Sequence, residues 1–192
     1  MRIIAGKHRG TKLIAPEGLE TRPTPERVRE AVFSMLESGR FGDVLRDRLV
    51  LDLFAGTGAM GLEALSRGAD RVVLIDTNPV ALDTLRANVE KLKAGGRTQV
   101  RSGDATRLHE RAPVAAGVVF MDPPYGSGAW VPAMESALHT GWIADDTVIV
   151  IETDKRERTD PPAGFEILED RAYGRARILV LATASNEAAE GD

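Results

Sequence analysis

The chain has 192 residues and no cysteine, with 43% hydrophobic and 28% charged residues. This length suits one globular domain, and the composition excludes a mainly disordered chain, disulfides and thiolate metal sites. Only three histidines are present, and they are scattered, so we expect no metal site. The sequence lacks an apolar run of the roughly 18 residues that a membrane span needs, and its first residues lack the apolar core of a signal peptide. We therefore expect a cytoplasmic protein with no membrane partner.

Charge is distributed unevenly along the chain. The net charge is −4, but residues 1–29 carry seven cationic and three acidic side chains, a balance of +4 that leaves the remainder at about −8. A basic segment on an acidic body predicts a localised anionic partner. The charge count alone leaves open an ordinary solvated segment. The cationic residues of this segment are Arg2, Lys7, Arg9, Lys12, Arg22, Arg27 and Arg29.

The first 40 residues predict a small hairpin followed by a helix. Residues 2–14 have the pattern of two short strands around a glycine-containing turn. Thr24 and Pro25 are the residue types that favour a helix start, and the helix is expected to run to about residue 37. Its predicted apolar face consists of Val28, Val32, Met35 and Leu36. The arginines expected at the helix start or away from that face are Arg22, Arg27 and Arg29.

From residue 49 onward, predicted strands alternate with predicted helices. The strands are 49–54, 71–76, 98–101, 117–122 and 147–152, and the helices end near 67, 92 and 139. Buried strands separated by helices predict an α/β fold with a doubly wound, Rossmann-like sheet that is mostly parallel. Two further strands, 165–173 and 176–182, are joined by only two residues, which predicts a C-terminal antiparallel hairpin.

This pattern divides the chain into three predicted regions. Residues 1–40 form an N-terminal hairpin and helix extension, and residues 41–184 form the α/β domain. Residues 185–192 form a small, polar and acidic tail that we expect to be disordered. In doubly wound folds, ligands bind at the C-terminal ends of the strands, and the motifs that carry chemistry fall there.

The first motif is a glycine loop, D52-L-F-A-G-T-G-A-M-G61, between the first strand of the alternating region and its helix. Glycines at 56, 58 and 61 let the backbone turn tightly and approach a ligand at the helix N-terminus. Asp76, at the end of the second strand, is placed to accept hydrogen bonds from ribose hydroxyls. An adenosine-containing ligand is therefore predicted, either a nicotinamide dinucleotide or S-adenosylmethionine.

Two further acids favour S-adenosylmethionine, which carries an ammonium and a sulfonium cation. Asp52 lies inside the end of the first strand, where a dehydrogenase more often has an apolar residue. Asp104 follows the third strand and suits the amino group of adenine. A helix N-cap is the alternative role for Asp104, and it does not exclude ligand contact.

The second motif, D122-P-P-Y125, ends the fourth strand of the α/β domain. The tetrapeptide alone is a weak signal, because Asp and Pro are common in turns, but its position beside the adenosine site gives it weight. An exocyclic amino group on a nucleobase is a poor nucleophile, since its lone pair is delocalised into the ring. The Asp122 carboxylate and the Pro123 carbonyl can engage its two hydrogens. Tyr125 can stack on the base, which must leave its own stack to enter the pocket.

The combination of F54-A-G-T-G58 with D122-P-P-Y125 resembles the class I S-adenosylmethionine-dependent amino-methyltransferases. The segments M1-R-I-I-A-G-K-H-R-G10, R22-P-T-P-E-R-V-R-E30 and 51–69 are similar to the bacterial 16S ribosomal RNA guanine-N2 methyltransferases of the RsmD type, over roughly residues 1–182. The resemblance implies S-adenosylmethionine as methyl donor and one guanine of 16S rRNA as acceptor, free or in an assembling 30S subunit. It also implies RNA recognition by the N-terminal extension, and nothing demands more than a monomer.

The match to the family motifs implies the site residues. The catalytic motif comprises Asp122, Pro123, Pro124 and Tyr125. The cofactor-binding residues are Asp52, Ala55, Gly56, Thr57, Gly58, Asp76, Thr77, Asp104 and Ala105. The seven cationic residues of the N-terminal segment are the candidates for RNA contact. The family often has Phe at the aromatic position, and Tyr125 is expected to alter little, because stacking needs only the ring.

Other functions remain open at this stage. D-P-P-Y also occurs in adenine-N6 methyltransferases of DNA, and the related N-P-P-Y occurs in protein glutamine methyltransferases. An aspartate at 122 counts against the protein acceptor, and the lack of a large target-recognition domain counts against the DNA enzyme. A nicotinamide oxidoreductase lacks support, because neither Tyr125 nor Tyr173 has a lysine four residues later. A non-catalytic RNA-binding protein would leave both motifs unexplained.

Overall fold

The computed structural model describes residues 1–15 and 26–184. Its helices are α1 (Glu26–Leu36), α2 (Ala59–Ser66), α3 (Pro79–Lys91) and α4 (Trp130–His139). Its strands are β1 (Leu49–Leu53), β2 (Arg71–Asp76), β3 (Thr98–Ser102), β4 (Val118–Met121), β5 (Val148–Asp154), β6 (Phe165–Tyr173) and β7 (Ala176–Thr183). The seven strands form one sheet in the order β3-β2-β1-β4-β5-β7-β6.

Strand directions confirm the predicted fold class. The pairs among β1 to β5 are parallel, whereas β7 pairs antiparallel with both β5 and β6. Gly174 and Arg175 join β6 to β7, and Gly174 has a φ of 65° that suits a tight hairpin turn. The C-terminal hairpin therefore extends the parallel sheet at the edge opposite β3.

Both faces of the central strands are covered, which explains their continuous apolar sequences. Every residue of β1, β4 and β5 is buried. Val50, Phe120 and Val150 pack into a core with residues of α1, α2 and α3. Their neighbours in sequence point to the other face and form a second core with α4. The buried sheet can therefore fix the positions of residues in the loops at its strand ends.

The N-terminal segment turns back on itself in the predicted hairpin, and its two arms are joined by backbone hydrogen bonds from Ile3 to Thr11 and from Leu13 to Met1. It forms a single antiparallel bridge between Arg2 and Lys12. The N–H groups of Ile4 and Ala5 bond to α2, donating to the Glu63 carboxylate at 2.7 and 3.0 Å. Ile3 and Leu13 are buried in the first core. The segment is therefore docked onto the α/β domain and shares its core.

Helix α1 covers the described part of the predicted helix, and its predicted start at Thr24 and Pro25 lies outside the described residues. Its buried residues are Val28, Arg29, Val32, Phe33 and Leu36. The expectation that Arg29 lies away from the packed face is wrong, because Arg29 shares that face with Phe33, one turn later. The predicted tail 185–192 also lies outside the described residues. Among the described helices, none has the length and apolarity of a membrane span.

Candidate active site

The loops after β1 and β4 form the centre of the candidate site. Leu53 and Met121 are paired in register at the ends of these two strands. The chain runs from β1 to β2 on one side of β1, and from β4 to β5 on the other side of β4. The direction of the strand order therefore reverses between β1 and β4. Such a switch point opens a crevice at the C-terminal ends of the strands, where ligands bind in this fold class. The glycine loop and D-P-P-Y therefore begin side by side.

The glycine loop folds into a compact turn with left-handed backbone conformations. Phe54, Gly56 and Gly58 have φ values of 62°, 54° and 77°. A Cβ atom on Gly58 would lie 2.6 Å from Cδ2 of Leu85, so this position also needs glycine for packing against α3. The N–H of Gly58 donates to the carbonyl of Ala55 at 2.7 Å and closes the turn. The loop leads directly into the N-terminus of α2.

Asp76 links β2 to the glycine loop. One carboxylate oxygen accepts the Gly56 N–H and the other accepts the Asn78 N–H, both at 2.8 Å. Asn78 in turn caps α3 by accepting the Val80 N–H. These bonds fix the carboxylate at the strand end, and a carboxylate retains further acceptor sites for hydroxyl donors. Thr77 lies exposed beside it.

Asp52 is buried under the loop. Its side chain is on the same strand face as Val50, and its Oδ2 accepts the N–H of Gly61 at 2.9 Å. Burial raises the pKa of Asp52 to about 8, an effect that the Gly61 hydrogen bond opposes and the nearby Asp76 increases. Burial under the loop therefore favours the neutral form of the carboxyl group. Asp52 supports the loop from below, and its predicted contact with a cationic ligand stays a prediction.

Asp104 takes the capping role that the sequence left as the alternative. It precedes a short 3-10 helix, residues 105–107, and its Oδ1 accepts from both the backbone N–H and the hydroxyl of Thr106. These bonds, the hydroxyl first, lower the pKa of Asp104. The neighbouring Gly103 N–H donates to the Asp76 carbonyl at 3.1 Å. Asp104 and Asp76 thus stand on connected loops, with Ala105 buried behind them.

The D-P-P-Y motif is held by β5 and by the β6–β7 turn. Asp122 is half-buried at the end of β4. The Tyr125 hydroxyl donates to the carboxylate of Glu152 at 2.9 Å, and the Arg175 guanidinium lies 5.4 Å from the centre of the Tyr125 ring. Arg175 is itself paired with Asp154. The hydroxyl thus makes a contact that Phe cannot make, so a tyrosine here is not equivalent to the phenylalanine expected from the ring alone.

Sequence reasoning missed Glu152 and Asn88. Glu152 interrupts an apolar strand at the level of D-P-P-Y, and this break in the pattern was the available signal. Asn88 is fully buried on α3 and donates to the carbonyl of Thr57 in the glycine loop at 3.0 Å. It also bonds to both backbone polar groups of Ile14. The glycine loop and the N-terminal segment therefore share one side chain, and no sequence pattern indicates that contact.

The structure separates the seven predicted RNA-contact residues into three groups. Lys7, Arg9, Lys12 and Arg27 are exposed, and so is Arg2, which pairs with Glu26. Arg22 lies outside the described residues. Arg29 is fully buried, so its assignment as a direct RNA contact does not fit the structure.

Arg29 instead belongs to a buried charge cluster. Its Nη2 donates to the Arg2 carbonyl at 2.5 Å, and its Nε lies 3.8 Å from the Glu63 carboxylate. Glu63 also accepts from Arg67, one turn along α2. This cluster joins the N-terminal segment, α1 and α2. In the part of the chain that the structure describes, no group of three or more His, Cys, Asp or Glu side chains is arranged to hold a metal ion.

Comparison with known proteins gives consistent matches over nearly the whole chain. The family model described as conserved hypothetical protein 95 matches residues 1–182. The ribosomal RNA small subunit methyltransferase D of Escherichia coli K12 is 35% identical over 176 residues, which are 91% of this chain and 86% of that protein. A candidate rRNA methyltransferase of Bacillus subtilis, YlbH, is 36% identical over 184 residues, 94% of this chain and 97% of that protein.

A solved structure has the same fold. The structure of yhhF, a candidate methyltransferase from Escherichia coli, superposes with a TM-score of 0.82 at 34% sequence identity. The superposition covers 95% of this chain and 97% of that chain. The likeness therefore includes the N-terminal segment as well as the sheet.

Proposed function

The chain belongs to the family described as conserved hypothetical protein 95, and from this premise we propose that it methylates 16S ribosomal RNA. The reaction transfers a methyl group from S-adenosylmethionine to the exocyclic N2 amino group of one guanine. The relatives from Escherichia coli and Haemophilus influenzae are named ribosomal RNA small subunit methyltransferase D. The observation that carries the proposal is the register of Leu53 with Met121, which sets the glycine loop beside D-P-P-Y.

The residues at the strand ends fit S-adenosylmethionine. The Asp76 carboxylate, already oriented by two backbone N–H groups, would bind the ribose hydroxyls. The loop from Ala55 to Gly58 would surround the methionine part, and Thr77, Asp104 and Ala105 would line the adenine. When bound, S-adenosylmethionine supplies a methyl group on a positively charged sulfonium, and the carbon–sulfur bond breaks with its electron pair left on sulfur as N2 takes the methyl.

The D-P-P-Y residues would prepare the amino group. The Asp122 carboxylate and the Pro123 carbonyl would accept its two hydrogens, which leaves the nitrogen lone pair aimed across the crevice toward the glycine loop. Asp122 would then take the proton that the methylated nitrogen releases. Pro123 and Pro124 limit backbone motion, and Tyr125 would stack on the base, a contact worth about 1–3 kcal/mol in comparable proteins.

The RNA would contact the N-terminal extension. We assign RNA recognition to residues 1–40 and catalysis to residues 41–184, and the exposed cations of the extension would bind phosphates. The substrate would be 16S rRNA, free or in an assembling 30S subunit, and the enzyme would act as a monomer in the cytoplasm. Adenine-N6 methylation of another nucleic acid is the alternative that the test below separates.

The direct test uses labelled S-adenosylmethionine with 16S rRNA and with small subunits from a strain that lacks this enzyme. We expect label at N2 of a single guanine, found by nuclease digestion and mass spectrometry of the nucleosides. Asp122→Ala should retain S-adenosylmethionine binding and lose at least ~10²-fold in turnover. Label on adenine would show that adenine, and not guanine, is the acceptor. Near-normal turnover by Asp122→Ala would contradict the catalytic role assigned to D-P-P-Y.

A further inference from the structure

Glu152 is a buried acid immediately beside D-P-P-Y. Its side chain is 7% exposed, near the end of β5. Because Met121 and Ile151 are paired in register, the next residues on the two strands, Asp122 and Glu152, lie side by side. Neighbouring strands are about 4.8 Å apart. Two carboxyl groups, one from β4 and one from β5, are therefore neighbours at this edge of the sheet.

Both carboxyl groups point to the same side of the sheet. Phe120 and Val150, two residues earlier on each strand, pack into the same core. Side chains alternate along a strand, so Asp122 and Glu152 continue on that side. The remaining β5 positions on this face are apolar up to Val150. A valine or isoleucine would fill position 152 without the cost of burying a carboxyl group, and this cost indicates a chemical use for the acid.

Tyr125 fixes the orientation of Glu152. Its hydroxyl donates to Oε1 of Glu152 at 2.9 Å, and its ring is held against Arg175, which is paired with Asp154. A carboxylate has two oxygens and about four acceptor sites, so it can accept from more than one donor at a time. The acceptor group is thus positioned before any base enters.

The hydrogen-bonding edges of guanine and adenine differ at the position next to the reactive amino group. Guanine carries a donor, N1–H, adjacent to its N2 amino group. Adenine carries an unprotonated N1, an acceptor, adjacent to its N6 amino group. A second carboxylate beside the one that holds the amino group would accept the guanine N1–H and would repel the adenine N1 lone pair.

We propose that Glu152 forms the guanine-reading subsite of this enzyme by accepting the N1–H of the target base, while Asp122 holds the adjacent amino group. Tyr125 has two tasks in this arrangement, since its ring stacks on the base and its hydroxyl orients Glu152. The inference rests on the proposed function and adds to it the group that selects guanine over adenine.

The test compares guanine with 2-aminopurine at the target position of a 16S rRNA fragment. 2-Aminopurine keeps the amino group at position 2 but has an unprotonated N1. We expect the wild-type enzyme to prefer guanine by at least ~10²-fold in kcat/KM, because sites built around a hydrogen bond reject analogues that cannot make it. Glu152→Gln can donate to the unprotonated N1, and it should narrow that preference at least ~10-fold. The matched control is Glu166→Gln on the exposed face of β6, which should leave the preference unchanged.

The ratio of the two substrates separates base reading from a structural role. A Glu152 that only anchored Tyr125 would slow both substrates equally, and an unchanged ratio in Glu152→Gln overturns the proposal while the function stands. If Glu152→Gln does not fold, Glu152→Asp retracts the carboxylate by one methylene and should also narrow the ratio, with an unchanged ratio again counting against the subsite. A wild-type enzyme that labels no guanine overturns both the function and the subsite.

Discussion

The side-chain amide of Asn88 bonds to both backbone polar groups of Ile14. Its Oδ1 accepts the Ile14 N–H at 2.7 Å, and its Nδ2 donates to the Ile14 carbonyl at 3.1 Å. The same Nδ2 donates to Thr57 in the glycine loop. One buried side chain therefore connects the segment proposed to bind RNA with the loop proposed to bind the cofactor.

Replacing Asn88 should affect stability and cofactor binding together. Asn88→Ala leaves three backbone groups without their partner, one in a buried bond and two in part-buried bonds. Each bond is worth about 1 kcal/mol, so we expect a loss of about 2–3 kcal/mol in unfolding free energy. The Kd for S-adenosylmethionine should rise, because the glycine loop loses a contact. Denaturant unfolding and calorimetry measure the two effects. Asp83→Ala, at an exposed position of the same helix, is the control, and equal behaviour of the two variants would contradict the prediction.

Replacing Arg27 should weaken RNA binding, whereas replacing Arg29 should lower stability, although the two residues are only two positions apart. Arg29→Ala removes a buried cation from the Glu63 cluster, and breaking such a pair costs about 3–5 kcal/mol. Arg27→Ala changes an exposed side chain, so its stability should stay within about 0.5 kcal/mol while RNA affinity falls. Thermal unfolding and RNA binding distinguish the two. A stable Arg29→Ala variant with weakened RNA binding would restore Arg29 as an RNA contact.

Neutralising exposed cations of the N-terminal segment should lower RNA affinity and make that affinity less dependent on salt. In the variant with Lys7, Arg9 and Lys12 each changed to Gln, three phosphate contacts are lost. The slope of log K against log salt should then fall in magnitude by roughly 2 for single-stranded RNA. Binding of S-adenosylmethionine should not change. The matched control neutralises Arg46, Arg158 and Arg171, which are exposed outside the N-terminal segment, and a slope that falls equally there would indicate non-specific attraction.

Asp52 should make stability fall as pH rises. Its folded-state pKa of about 8 lies above the ordinary aspartate value of 3.8, so the folded state binds the proton more tightly than the unfolded state does. The stability from the neutral carboxyl is complete below pH 4 and is lost as pH rises toward and through about 8. The Asp52→Asn variant cannot ionise at this position. The difference in Tm between this variant and the wild type should therefore increase in favour of the variant as the pH rises from about 5 to about 9. Parallel Tm curves for the two proteins would show that Asp52 titrates normally.

The sheet was predictable because its signal is local. The apolar runs of β1, β4 and β5 are buried on both faces, and the two-residue connection at Gly174 and Arg175 permits little except a hairpin. The fold class and the methyltransferase family are confirmed. The observed strand ends differ from the predicted ones by one or two residues, as at β4, which ends at Met121, one residue before Asp122.

The contacts across the fold were not predictable, because they join residues far apart in sequence. The N-terminal hairpin was predictable, but its docking was not, because the N–H groups of Ile4 and Ala5 donate to a side chain on α2. Arg29 was misplaced because helical periodicity shows which residues share a face but not which charges a buried acid attracts. The site residues follow from motifs and stay predictions, and Glu152 became visible only when the register of β4 and β5 was known.

The docking of the first residues also determines when they can fold during synthesis. Ile4 bonds to a side chain 59 positions later, and Ile14 bonds to one 74 positions later. These residues leave the ribosome first but acquire their partners only after α2 and α3 have been made. The basic segment therefore reaches its final conformation only when the glycine loop is already in place. A nascent chain cannot order the segment proposed to bind RNA before it contains the loop proposed to bind the methyl donor.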